Sequence, residues 1–149
     1  MNNEGDHIAQ RYAKLDRIEE SGYERYPHRF EVKDLVPDIV REYSETSSEE
    51  LEKLGREVRT AGRIIALRGH GKAGFGHLLS GGEKLQFYVR QDKLGEENYQ
   101  LFQLLDVGDL VGITGVLLRT RTGELTVFAD KVDYLAKALL PLPEKWHGL

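Results

Sequence analysis

The sequence predicts an α+β protein, mainly β: a five-stranded Greek-key barrel with a helix between its third and fourth strands, preceded by N-terminal helices. Three observations predict it. Apolar residues at helical spacing are confined to the first third of the chain and to one later stretch. From about Val58 onward, segments of alternating polarity take over. Twelve of the 16 Gly fall between Gly62 and Gly123, cutting those segments into short strands.

The elements follow in order. Ile8, Tyr12, Leu15 and Ile18 keep helical spacing and Gly22 stands where a C-terminal cap belongs, so an amphipathic helix is expected over 6–21. Tyr23 to Phe30 (YERYPHRF) reads as an extended connector. Lys33 to Tyr43 predicts a second helix, because Pro37 is tolerated near a first turn. Ser47 and Ser48 followed by Glu49 and Glu50 form an N-terminal signal for a short helix ending at Gly55. Strands are expected at 57–68, 73–80, 84–91, 109–119 and 124–134. Between the third and fourth, Glu96 to Leu105 is helical in period, with Tyr99, Leu101, Phe102 and Leu105 on its apolar side. That order is the order of an OB-fold, a small barrel that binds oligonucleotides on one face. The chain divides into a helical segment at 1–56, the barrel at 57–137 and a linker at 138–149.

Length and composition narrow the functions. At 149 residues, 40% hydrophobic and 31% charged, the chain is about one domain with a genuine core. Zero Cys excludes a disulfide framework, thiol catalysis, Fe–S clusters and Cys-based zinc sites, and fits a cytoplasmic location. No run approaches the roughly 18 apolar residues of a membrane span, and the polar start MNNEGDHIAQRY predicts no signal peptide. The net charge of −4 looks wrong for a nucleic-acid binder until it is divided. Residues 1–60 carry 10 Lys and Arg against 15 Asp and Glu, whereas residues 61–149 carry 11 against 10. Within 61–90, Arg63, Arg68, Lys72, Lys84 and Arg90 face only Glu83.

Several tempting motifs fail. Gly69-His70-Gly71-Lys72-Ala73-Gly74 matches the G-x-G-x-x-G dinucleotide fingerprint, but that chemistry needs a helix opening on the loop. Only Phe75 to Ser80 separate the loop from Gly81-Gly82, too little for a crossover helix, so a bent hairpin between the first two strands is expected. The five His show no ligand spacing, and Glu96-Glu97 suits the first turn of a helix. No catalytic set, metal site or cofactor is expected.

Strand alternation yields one constellation. In Lys84 to Arg90, the residues Leu85, Phe87 and Val89 point to the core and Gln86, Tyr88 and Arg90 point away. Phe75, His77 and Leu79 share a side of the preceding strand, and Glu124, Thr126 and Phe128 oppose Leu125 and Val127 in the last. Paired in OB order, Phe75, His77, Gln86, Tyr88 and Arg90 would share the outer face, with Arg68 and Glu124 at its margins. Such a face suits single-stranded RNA. An aromatic ring stacks any unpaired base, an amide offers a donor and an acceptor, and arginine meets phosphate or carbonyl. A carboxylate accepts from uracil N3–H and repels cytosine N3. Taken singly, Phe75 suits a core, Gln86 a solvated strand and Glu124 a turn; on one face beside excess positive charge, they favour RNA or single-stranded DNA.

At this point the residues carry a resemblance. From Val58 to Leu149, the segments AGRIIALRGHGKAGFGHL, KLQFYVRQDKLGEENYQLFQLLDVGDLVGITG, RTRTGELTVFADKVDYLAKALLPLP and PLPEKWHGL resemble the N-terminal anticodon-binding domain of bacterial class II lysyl-tRNA synthetases. The leading QRYAKLDRIEESGYERYP is similar to that family's first segment. The resemblance implies that Phe75 stacks the central anticodon uridine, Gln86 reads its edge, Glu124 is the acidic reader and Arg68 a basic contact. It gives His77, Tyr88 and Arg90 a supporting place. His77-Leu78-Leu79-Ser80 departs from the family, which usually has an amide and an Asp there.

In that family PLPEKWHGL leads into a catalytic domain that binds ATP, lysine and the acceptor end of tRNA. The expectation is therefore a tRNA-binding module for the lysine anticodon loop that neither activates lysine nor charges tRNA. It would be a monomer when isolated, although the full-length family is homodimeric. A general single-stranded nucleic-acid-binding OB protein, or a structural or engineered fragment that binds no RNA, are the alternatives.

Overall fold

The computed structural model describes residues 13–14 and 30–136. Of the predicted first helix, Ala13 and Lys14 are helical and Lys14 Nζ pairs with Asp106 at 2.7 Å. The rest of that helix, most of the aromatic connector and the predicted linker lie outside the described residues.

Helix α1 (Val36–Tyr43) starts three residues later than its periodicity suggests. The reason is local: the N–H groups of Lys33 and Asp34 donate to the Arg59 carbonyl, and Asp34 accepts from the Arg59 N–H, so this stretch is tied to a strand instead of coiling. Pro37 falls in the first turn, and Val36, Ile39 and Tyr43 make the buried stripe. Helix α2 (Ser48–Leu54) opens on a complete capping box between Ser47 and Glu50. Its single buried residue, Leu51, anchors it.

The barrel consists of β1 (Glu57–His70), β2 (Ala73–Ser80), β3 (Glu83–Arg90), β4 (Leu110–Arg119) and β5 (Leu125–Ala136). The order around it is β1-β2-β3-β5-β4, closed by the antiparallel β1–β4 pair and by a parallel β3–β5 pair. Between β3 and β4 run α3 (Gln91–Leu94), a four-residue helix that periodicity could not reveal, and α4 (Glu96–Gln103). Ile64, Leu78, Leu85, Phe87, Val111, Ile113, Leu117 and Val127 fill the interior. Helix α4 contributes Tyr99, Leu101 and Phe102 to it, and the Phe102 ring meets Phe87 edge-on at 6.4 Å. Gly74 makes this possible, since a Cβ there would lie 2.6 Å from the Phe102 ring.

A bulge changes the phase of β1. Ile64 pairs with Leu78 and Ala66 with His77, so Ile65 is the extra residue. Before the bulge, Val58, Thr60 and Ile64 point inward; after it, Leu67 does, and Arg68 points out. The Gly69–Gly74 stretch runs from the end of β1 through a two-residue turn at Gly71 and Lys72 straight into β2, as the dinucleotide motif would not allow. Thr126 keeps the outward phase expected of it but is fully buried, its hydroxyl donating to the Glu124 carbonyl at 3.0 Å.

Candidate nucleic-acid interface

Strand register assembles the predicted residues. Arg68, Phe75, Tyr88, Phe128 and Val116 stand opposite one another across β1, β2, β3, β5 and β4. The next row is Ala66, His77, Gln86, Thr126 and Leu118. Partners in register share a face, so Phe75, His77, Gln86, Tyr88 and Arg68 lie together on the outside of the barrel. Phe75, His77, Gln86 and Tyr88 are half-buried and Arg68 is exposed. Arg68 is in line with Phe75 instead of at the margin, because the Ile65 bulge turns it outward.

Arg90 belongs to the same phase of β3, but its guanidinium is engaged. Its Nε and Nη2 donate to the two Asp92 carboxylate oxygens at 3.1 and 2.6 Å. Arg63, counted in the basic stretch, is also committed: its Nη1 donates to the Gly108 carbonyl at 2.8 Å, which serves the approach to β4. Of the cations between 61 and 90, Arg68, Lys72 and Lys84 carry no ion pair among the described residues and are open to phosphate.

Glu124 sits on the turn that enters β5. The turn is tightly bonded: Thr120 N–H donates to the Glu124 carbonyl at 3.0 Å, Gly123 N–H to the Thr120 carbonyl at 2.9 Å, and Glu124 N–H to Thr120 Oγ1 at 3.1 Å. Gly123 takes φ +90, a conformation that favours glycine. The Glu124 backbone is therefore fixed, while its side chain is exposed and makes no hydrogen bond or ion pair among the described residues.

Periodicity had placed Phe128 on this face without making it a candidate. Its ring lies 5.3 Å from Tyr88, tilted by 53°, and extends the aromatic row. Beyond the pair is a cleft of about 410 Å³ floored by Phe128, Tyr88, Val116 and Leu118, with the Arg90–Asp92 and Lys93–Asp130 ion pairs also in its lining. At the other end of the face, the Tyr99 phenol donates to the Gly71 carbonyl at 3.1 Å and steadies the β1–β2 turn. Burial, with a smaller contribution from Tyr88, pushes that phenol above its ordinary range. Among the described residues, no group of three or more His, Cys, Asp or Glu could hold a metal.

Residues 58–135, which span the whole barrel except its ends, match the tRNA anticodon family described as an OB-fold nucleic acid binding domain. The chain belongs to this anticodon OB-fold family. It is 45% identical over 144 residues to a lysine–tRNA ligase of Lysinibacillus sphaericus, covering 97% of this chain and 29% of that protein. It is 42% identical to the lysine–tRNA ligase of Oceanobacillus iheyensis over the same shares. A lysine–tRNA ligase of Bacillus cereus is 45% identical over 100% of this chain and 30% of its own length. The chain thus spans about three-tenths of the length of the curated relatives it matches. Among the described residues, no helix is long and apolar enough to cross a membrane.

Proposed function

We propose that this chain recognises the anticodon loop of lysine tRNA and reads its central uridine. The observation that carries the reading is one outer face on which Arg68, Phe75 and Tyr88 stand in register with Gln86 in the next row, beside a bonded turn presenting the Glu124 carboxylate, which has no partner among the described residues. Phe75 stacks the base and Gln86 donates to or accepts from its edge. Glu124 accepts from uracil N3–H, where cytosine would present a lone pair. Arg68 meets the loop backbone, with His77, Tyr88 and Arg90 in support. The chain does this in the cytoplasm, as a monomer when isolated, and the recognition itself uses no cofactor.

The test is a titration of an anticodon stem-loop of lysine tRNA, and of the same loop with its central U changed to C. The U loop is expected to bind about tenfold or more tightly, the size of a good edge contact. Glu124→Gln should reduce that preference while leaving the C loop nearly unchanged. Equal affinities for both loops and for poly-pyrimidine would reduce the protein to a general single-strand binder. Binding of none of these would leave a structural fragment.

A further inference from the structure

One arginine near the reading turn has a different job from the cations on the face. Arg119 ends β4, opposite Leu125 in register. Its Nη1 donates to the Gly123 carbonyl at 2.8 Å, one residue before Glu124. Its other nitrogens cross to the helical segment. Nε donates to the Thr46 carbonyl at 2.7 Å, and Nη2 to the carbonyls of Tyr43 and Ser44 at 2.8 and 3.1 Å. Tyr43 ends α1 and Ser44 caps it, so the guanidinium bonds carbonyls at the negative end of the helix dipole, the Tyr43 carbonyl also accepting from the Thr46 N–H. No carboxylate takes part in these contacts; a half-buried cation is held by four carbonyls. Val40 and Ser44 of this same stretch share a hollow of about 220 Å³ with Lys84, Arg119, Gly123 and Glu124.

We infer that Arg119 is a positioning residue for uridine discrimination: it joins the C-terminal end of α1 to the β4–β5 turn and so sets where the Glu124 carboxylate stands. The inference rests on the anticodon reading proposed above and adds to it a dependence on the helical segment. Only a planar fork serves four acceptors in two elements at once. A lysine keeps the charge near the helix end but cannot span them. All three guanidinium nitrogens are engaged and four of the five N–H donors are spent, so the effect is assigned to Glu124 and not to a direct RNA contact.

The experiment measures the full chain against the U and C stem-loops, with Arg119→Met and Arg119→Lys in the natural and Glu124→Gln backgrounds. Arg119→Met is expected to lower the U-over-C preference from about tenfold to about twofold, with affinity for the C loop changed by less than about twofold. Arg119→Lys should fall close to Arg119→Met, and it carries the test alone if the Met variant does not fold. In the Glu124→Gln background, neither substitution should alter the preference further. Equal weakening of both loops, with a shallower salt dependence, would make Arg119 a phosphate contact and overturn the inference. So would a lowered melting temperature with the preference intact, the mark of a purely structural clasp. If the natural chain itself shows no preference, the anticodon reading fails before Arg119 is at issue.

Discussion

Phe75 and Phe87 lie one register position apart on the β2–β3 hairpin and on opposite sides of it. Gly76 pairs with Phe87, and Phe75 pairs with Tyr88. Phe87 is fully buried against Phe102, whereas Phe75 is half-buried in a row with Arg68 and Tyr88. The same two strands therefore hold the barrel together with one face and offer unspent aromatic and polar groups with the other. The contrast teaches that residue type says little here; phase along the strand decides which free energy a phenylalanine contributes to.

The largest expected effect tests the inner face. Phe87→Ala removes a ring with no solvent exposure and leaves a cavity beside Phe102, which should cost about 3–5 kcal/mol of stability. That is a large part of the roughly 5–15 kcal/mol that holds a domain of this kind folded. Urea denaturation should show the midpoint falling, and RNA binding should decline only as the folded fraction does. A folded Phe87→Ala chain with weakened binding would break the division between the faces.

Phe75→Ala tests the outer face and should do the reverse. Its stability cost should stay within about 1 kcal/mol, since the residue packs on an open pleated surface. Its binding cost should be about 1–3 kcal/mol, equal for the U and C loops because stacking does not distinguish bases. Urea denaturation and loop titration on the same preparation would separate the two. A larger loss of stability than of binding would return Phe75 to the core.

How far these faces were legible follows from the same alternation. Lys84 to Arg90 alternates cleanly, and the structure buries Leu85, Phe87 and Val89 as that pattern requires. Ile64-Ile65-Ala66-Leu67 has no period to read, so the bulge that aims Arg68 outward was hidden in an apolar run. Helix α3 spans less than two turns and leaves no periodic trace. The start of α1 was misplaced because Lys33 and Asp34 answer to Arg59, a partner no local window contains. Arg119 escaped notice for the same reason. Three of its four acceptors lie 73 to 76 residues away, and all four are backbone carbonyls, which carry no side-chain signature. Asp92, by contrast, stands two residues from Arg90 in plain view; what concealed their pairing was the turn from β3 into α3.

That pairing supplies the smallest of the expected effects and the finest test of the comparison. Arg90 has the outward phase of the face but spends its guanidinium on Asp92, both side chains being largely exposed at 56% and 66%. An exposed pair of this kind contributes at most about 1 kcal/mol to stability, so Asp92→Asn should leave the denaturation midpoint almost unmoved. It would release Arg90 to a phosphate of the loop. Each added phosphate contact on a single strand steepens the fall of log affinity with log salt by about 0.7. Loop titrations across a salt series should therefore show Asp92→Asn binding more tightly at low salt and converging on the natural chain as salt rises. An unchanged slope would place Arg90 outside the RNA path altogether. The face would then end at Tyr88, with Arg68, Lys72 and Lys84 left as its cations.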